Sequence, residues 1–104
     1  MLNYKPILAA AFLLVHTNCM AAGQTYFGTT DCAQWTENKL AARKAWVIGY
    51  ISGVNVMWRG EGDPLKRIKS IDQLFLWIDN YCINNPLGNV KEGSDALFRE
   101  LITR

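Results

Sequence analysis

The chain has 104 residues, half of them apolar, with 11 Lys and Arg against 9 Asp and Glu and a formal net charge of +2. A charge so small and so evenly spread gives no basis for binding nucleic acid or an anionic membrane surface. The first residues read as an address. Lys5 supplies a positive n-region, Ile7–Val15 is an apolar run, and His16–Cys19 breaks it before the small residues Met20-Ala21-Ala22-Gly23. That is the anatomy of a secretory signal peptide, and the apolar run is too short for a stable membrane anchor. Cleavage is expected after Ala21, with Ala22 the neighbouring choice. A lipid-anchored reading would acylate Cys19, but Thr17 and Asn18 make a poor lipobox.

A signal over residues 1–21 leaves 83 of the 104, a single domain over residues 22–104. A chain of that length buries a modest core and commonly needs a staple. Cys19 would leave with the signal, so Cys32 and Cys82 remain as an even pair in an oxidising compartment. The default is one intramolecular disulfide closing a loop of about 50 residues, worth ~4 kcal/mol by chain entropy. The alternative is two free, buried thiols.

Along the mature chain, Gln24–Thr29 is a polar lead-in whose Tyr26 and Phe27 predict an arm lying against the body. Asp31 followed by Gln34 resembles a capping box and opens a first helix over Cys32–Leu40, with Cys32, Trp35 and Lys39 on one face. It either continues through Ala41–Lys44 into the next helix or turns there, and no Gly or Pro marks a break.

Ala45–Trp58 is apolar nearly all round, with Ser52 and Asn55 as its narrow polar strip. Such a helix belongs at the centre of a bundle, packed on several sides. Only 14 residues separate Lys44 from Arg59, short of the ~20 that a bilayer core requires. Gly49 and Gly53, four apart, predict close approach of a neighbouring helix. Gly60 is expected as its C-cap, with Arg59 complementing the helix C-terminus and Pro64 preventing continuation.

The next stretch, to Lys69, is the most polar of the chain and does not follow a calcium-loop rhythm. It is either a solvated connector or a partner contact. The candidate contact residues are Trp58, Arg59, Glu61, Asp63, Lys66, Arg67 and Lys69. Ser70 with Gln73 then opens a third helix, whose inner stripe is Ile71, Leu74, Phe75, Ile78 and Cys82, with Trp77 and Tyr81 along its edge. Asn84–Gly88 is a turn cluster. Asn89 with Glu92 opens a fourth helix with Val90, Leu97, Phe98, Leu101 and Ile102 inward, diluted early by Gly93 and Ser94. The expected class is all-α: a small four-helix bundle with one disulfide joining helices one and three.

The composition offers little to an enzyme. The one histidine, His16, falls in the signal, and two paired cysteines could serve neither as nucleophile nor as zinc ligands. Asp31, Asp72 and Glu92 have capping roles, and Asp79, beside Trp77 and Tyr81, suits a surface or hydrogen-bonding role better than a catalytic one. The expectation is a non-enzyme with no cofactor, no metal and a protein partner.

Three motifs together carry a resemblance. Cys32-x-x-Trp35, then Trp46-Val47-Ile48-Gly49-Tyr50-Ile51-Ser52-Gly53, then Trp77-Ile78-Asp79-Asn80-Tyr81-Cys82 with Asn85-Pro86-Leu87, resemble small exported proteins of the Rap/Tai group. The resemblance implies an immunity protein that neutralises a cell-wall amidase effector delivered by type VI secretion. It also implies a fold like that of the periplasmic acid-stress chaperone HdeA, a Gram-negative periplasm, the Cys32–Cys82 bridge, and room for a homodimer. Two further functions remain as alternatives: an HdeA-type acid chaperone, and a generic periplasmic protein-binding module.

Overall fold

The computed structural model describes residues 24–104. The expected signal peptide, with His16 and Cys19, lies outside the described residues. The described chain is helical: α1 (Cys32–Glu37), α2 (Ala41–Met57), a 3-10 turn (Pro64–Arg67), α3 (Ile71–Asn84) and α4 (Val90–Ile102). Four helices and no strand among the described residues is the expected class.

Three of the four helix starts follow from a side-chain cap, whereas α2 opens after Leu40 with none. Asp31 accepts from the Gln34 N–H at 2.7 Å and opens α1. Ser70 accepts from the Gln73 N–H and opens α3, while the Gln73 side chain reaches back to the Lys69 N–H. Asn89 and Glu92 form a full reciprocal capping box at α4.

The first helix is three residues shorter than expected, ending at Glu37 rather than Leu40. Asn38 and Leu40 leave helical geometry, and α2 begins afresh at Ala41. The corner needs neither Gly nor Pro because a side chain satisfies the carbonyls it exposes. Arg43 donates to the carbonyl oxygens of Gln34 and Asn38 at 2.8 and 2.6 Å. Lys39 therefore sits in the corner rather than on α1, with its ammonium 3.5 Å from Asp79.

Cys32 and Cys82 form the expected disulfide, both buried, joining the first residue of α1 to α3. Beside it, the Cys32 N–H donates to Gly88 O and the Val90 N–H to Thr30 O, an isolated antiparallel bridge between Asp31 and Asn89. One turn on, Trp35 is fully buried against Phe75, and its indole N–H donates to Asp79 Oδ1 at 2.7 Å. Asp79 thus has the hydrogen-bonding role, holding α1 to α3.

The central position belongs to α4, not to α2. Val90, Gly93, Ser94, Leu97, Phe98 and Leu101 are all buried, and α4 packs on α2, α3 and the 3-10 turn. Along α2 only Val47 and Ile51 are buried, while Ala45, Gly49, Ser52, Gly53, Val56 and Met57 are exposed. A core forms where apolar residues are segregated on one face. The near-uniform apolarity of α2 does not by itself surround it with neighbours.

The glycines reverse in the same way. A Cβ on Gly49 or Gly53 would meet nothing within 4 Å, so the expected close helix approach there is absent. A Cβ on Gly93 would lie 2.9 Å from the Tyr81 ring, so the close approach is between α3 and α4. Gly93 and its neighbour Ser94, whose hydroxyl donates to Val90 O, belong to the core rather than diluting it.

Smaller corrections follow from the same packing. Ile71 and Ile102, expected inward, lie exposed near helix ends. Trp46 is half-buried and stacked on Tyr50 at 5.0 Å. It pins the N-terminal arm by donating to Phe27 O at 2.6 Å, and Lys91 covers the Tyr26 ring. The arm lies against the body as expected, although the Phe27 side chain is exposed.

Two sets of variants check this packing by thermal unfolding. Gly49→Ala and Gly53→Ala should each stabilise by about 0.5–1 kcal/mol through helix propensity, whereas Gly93→Ala should destabilise by about 1–3 kcal/mol through overpacking. Replacing Cys32 and Cys82 by Ala should cost about 2–5 kcal/mol, and reduction of the purified protein should add the mass of two hydrogens.

Candidate partner-binding surface

The seven residues expected at a partner contact fall on the connection between α2 and α3, which is a built loop rather than a loose one. The expected C-cap, Gly60, lies beyond the actual helix end, because α2 stops at Met57 with Trp58 extended. Trp58 is half-buried and meets the Phe98 ring edge-on at 5.8 Å. Its indole N–H donates back to Glu61 O at 3.2 Å, closing a small turn. Gly60 is required there, since a Cβ would lie 1.9 Å from the Trp58 ring. Trp58 is thus a foundation of the loop more than a free contact.

Asn55 performs a similar task from α2. Its amide nitrogen donates to Asp63 Oδ1 at 2.7 Å and its oxygen accepts from the Leu65 N–H at 3.2 Å. Gly62, at φ 77, makes the turn between these two anchors, and Pro64 is buried beneath. Arg67 crosses to α4 and donates to the Leu101 carbonyl oxygen, satisfying one of the carbonyls left over at that helix end. Asp63, Trp58 and Arg67 therefore hold the loop in shape. All but Trp58 of the seven are nonetheless exposed, and Arg59, Lys66 and Lys69 make no ion pair among the described residues.

Three depressions surround this loop. One of about 250 Å³ brings together Trp58, Glu61, Asp63, Lys66 and Arg67, five of the seven expected residues. Lys69 lies outside it and Arg59 lines none of the three. A second, about 230 Å³, is apolar and runs between α2 and the start of α3, lined by Ile48, Ile51, Leu65, Ile68 and Leu74. The largest, about 650 Å³, lies between α3, α4 and the segment after the 3-10 turn. Leu76, Trp77, Leu97 and Leu101 form its floor, and Arg67, Lys69 and Arg104 its rim.

That largest groove was not expected from the sequence. Its signal was available in part: Leu76, Asn80 and Ile83 recur at helical spacing on the outer side of α3, and Leu76 and Ile83 are 59% and 68% exposed. Among the described residues no cluster of His, Cys, Asp or Glu could hold a metal ion, and no helix is long and apolar enough to cross a membrane.

On the opposite side, one polar network ties α2 to α4. Tyr50 donates to Asp95 Oδ1 at 2.7 Å, and Lys91 pairs with Asp95 Oδ2 at 2.8 Å. Burial first, then the hydrogen bond to Asp95 and its charge, pushes the Tyr50 hydroxyl up to about 12, with Lys91 opposing. The same Asp95 contact raises Lys91 against the opposing effect of burial.

Compared with protein-family models, curated proteins and solved structures, the chain matches none.

Because Tyr50 holds its proton more tightly folded than unfolded, its contribution to stability is complete below pH 10 and lost as pH rises toward about 12. Absorbance titration should resolve one tyrosine with a midpoint of about 12. Asp95→Asn should lower that midpoint without restoring it fully to 10.0, since burial, the larger cause, remains.

Proposed function

We propose that this chain is an exported, non-enzymatic immunity protein that binds a periplasmic cell-wall amidase effector and occludes its active site. The observation that carries the reading is the state of the Trp58–Lys69 loop. It is charged and exposed at Arg59, Glu61 and Lys66, yet its backbone is fixed by Asn55, Trp58 and Asp63. A loop ordered before binding loses little entropy on entering a partner's cleft, which is what tight occlusion requires. The motif resemblance to Rap/Tai proteins supplies the class of partner, and it rests on the motif residues themselves. The buried disulfide and the motif tryptophan Trp35 stand together at the α1–α3 contact, as core residues of such a fold would.

The second reading is an acid chaperone of the HdeA type. It is favoured by two carboxylates that each hold a helix pair: Asp79 with Trp35, and Asp95 with Tyr50.

Growth and near-UV spectra separate the two. The immunity reading expects a secreted amidase encoded beside this chain's gene. Cells exporting that amidase should lyse, and co-export of this chain should restore growth. Continued lysis overturns the reading. Near-UV circular dichroism at pH 2–3 should keep its aromatic signal under the immunity reading and lose it under the chaperone reading.

A further inference from the structure

We propose that the groove between α3 and α4 is a docking site for an acidic, amphipathic segment of a partner protein. This goes beyond the amidase reading and rests only on its protein-binding part.

The electrostatics give the sign of the occupant. α3 and α4 are joined by a short turn, so the start of α3 lies beside the end of α4. The positive end of one helix dipole meets the negative end of the other there, and the two offset. Side chains then decide the field. Arg67, Lys69 and Arg104 face one carboxylate, Glu100, which Arg104 already pairs at 2.8 Å. Arg67 is anchored on the Leu101 carbonyl, so its charge is held in place at the rim. Three cations against one acid make this end complementary to carboxylates.

The shape gives the size. At about 650 Å³ the groove has the volume of a ligand site, within the usual ~300–1,000 Å³. It is not a closed pocket, however. Leu76 at its floor is 59% exposed, and Ile83, two turns along the same face of α3, is 68% exposed. A small single-headed amphiphile would leave that apolar strip in water. A partner segment with leucine-like side chains following α3 and carboxylates at the basic end covers both parts. Gln73 and Asn80, also lining the groove, offer amide donors and acceptors to its polar groups.

The probes are two synthetic 14-residue peptides with leucines at helical spacing, one carrying glutamates elsewhere and the other lysines. Binding to the oxidised exported protein is measured by chemical-shift perturbation and titration. The glutamate peptide should perturb Leu76, Trp77, Asn80 and Ile83, and bind at least tenfold more tightly than the lysine peptide. Lys69→Glu with Arg104→Glu should weaken it at least tenfold, and Leu76→Asp should abolish the groove perturbations; melting curves must show each variant folded. Equal affinity for both peptides, perturbations centred elsewhere, or no binding overturns the proposal. So does saturable binding of laurate at these residues with neither peptide bound, which would assign the groove to a small amphiphile.

The peptide assay contains no amidase. Continued lysis with intact peptide binding therefore fails the immunity reading alone, and lost peptide binding with restored growth fails the groove alone.

Discussion

The junction at Cys32 and Cys82 is the constraint on which the rest depends. Three chain segments meet there: the start of α1, the last turn of α3, and the start of α4. The disulfide fixes the first two, and the paired backbone bonds between Thr30–Cys32 and Gly88–Val90 fix the third. Everything between the cysteines, including α2 and the charged loop, lies inside one covalent loop of sequence separation 50. α4 lies outside that loop in sequence but fills it in space. A small domain that could not bury enough apolar surface alone is thus closed covalently and plugged by its last helix.

That arrangement explains why the most conspicuous helix is not the central one. α2 is richer in apolar residues, but they are spread around it, and its packing on α4 and the 3-10 turn buries only Val47 and Ile51. α4 carries Lys91, Glu92, Asp95, Arg99 and Glu100, and reads as a surface helix by composition. Its apolar residues and Gly93 are nonetheless gathered on faces that α2, α3 and the 3-10 turn all cover. Gly93 gains a closely packed Tyr81 in return for its poor helix propensity, whereas nothing in the described chain approaches Gly49 or Gly53.

What was legible in the sequence was local. Asp31, Ser70 and Asn89 announce helix starts because a cap needs only residues three apart. The cysteine pair was legible because its chemistry admits few alternatives. The α1–α2 corner was not, since it depends on Arg43 reaching carbonyls five and nine residues back. The candidate surface was half legible. Charge density pointed to Trp58–Lys69, but could not show that Trp58, Asp63 and Arg67 are tied up in hydrogen bonds that shape the loop, nor that Arg104, 35 residues beyond Lys69 in sequence, shares a groove with it.

Arg67 marks where the two halves of that surface join. It lines both the depression under the charged loop and the larger groove between α3 and α4. Its bond to the Leu101 carbonyl makes the end of α4 a common foundation for both. A partner touching the loop and the groove together would meet surfaces already held in register by one guanidinium. Its binding would then order few new groups and retain more of the contact energy as affinity. The same geometry makes Arg67 a poor single test of either surface, because its loss releases an α4 carbonyl as well as a charge. Lys66 and Lys69, exposed and unpaired among the described residues, separate the loop from the groove more cleanly.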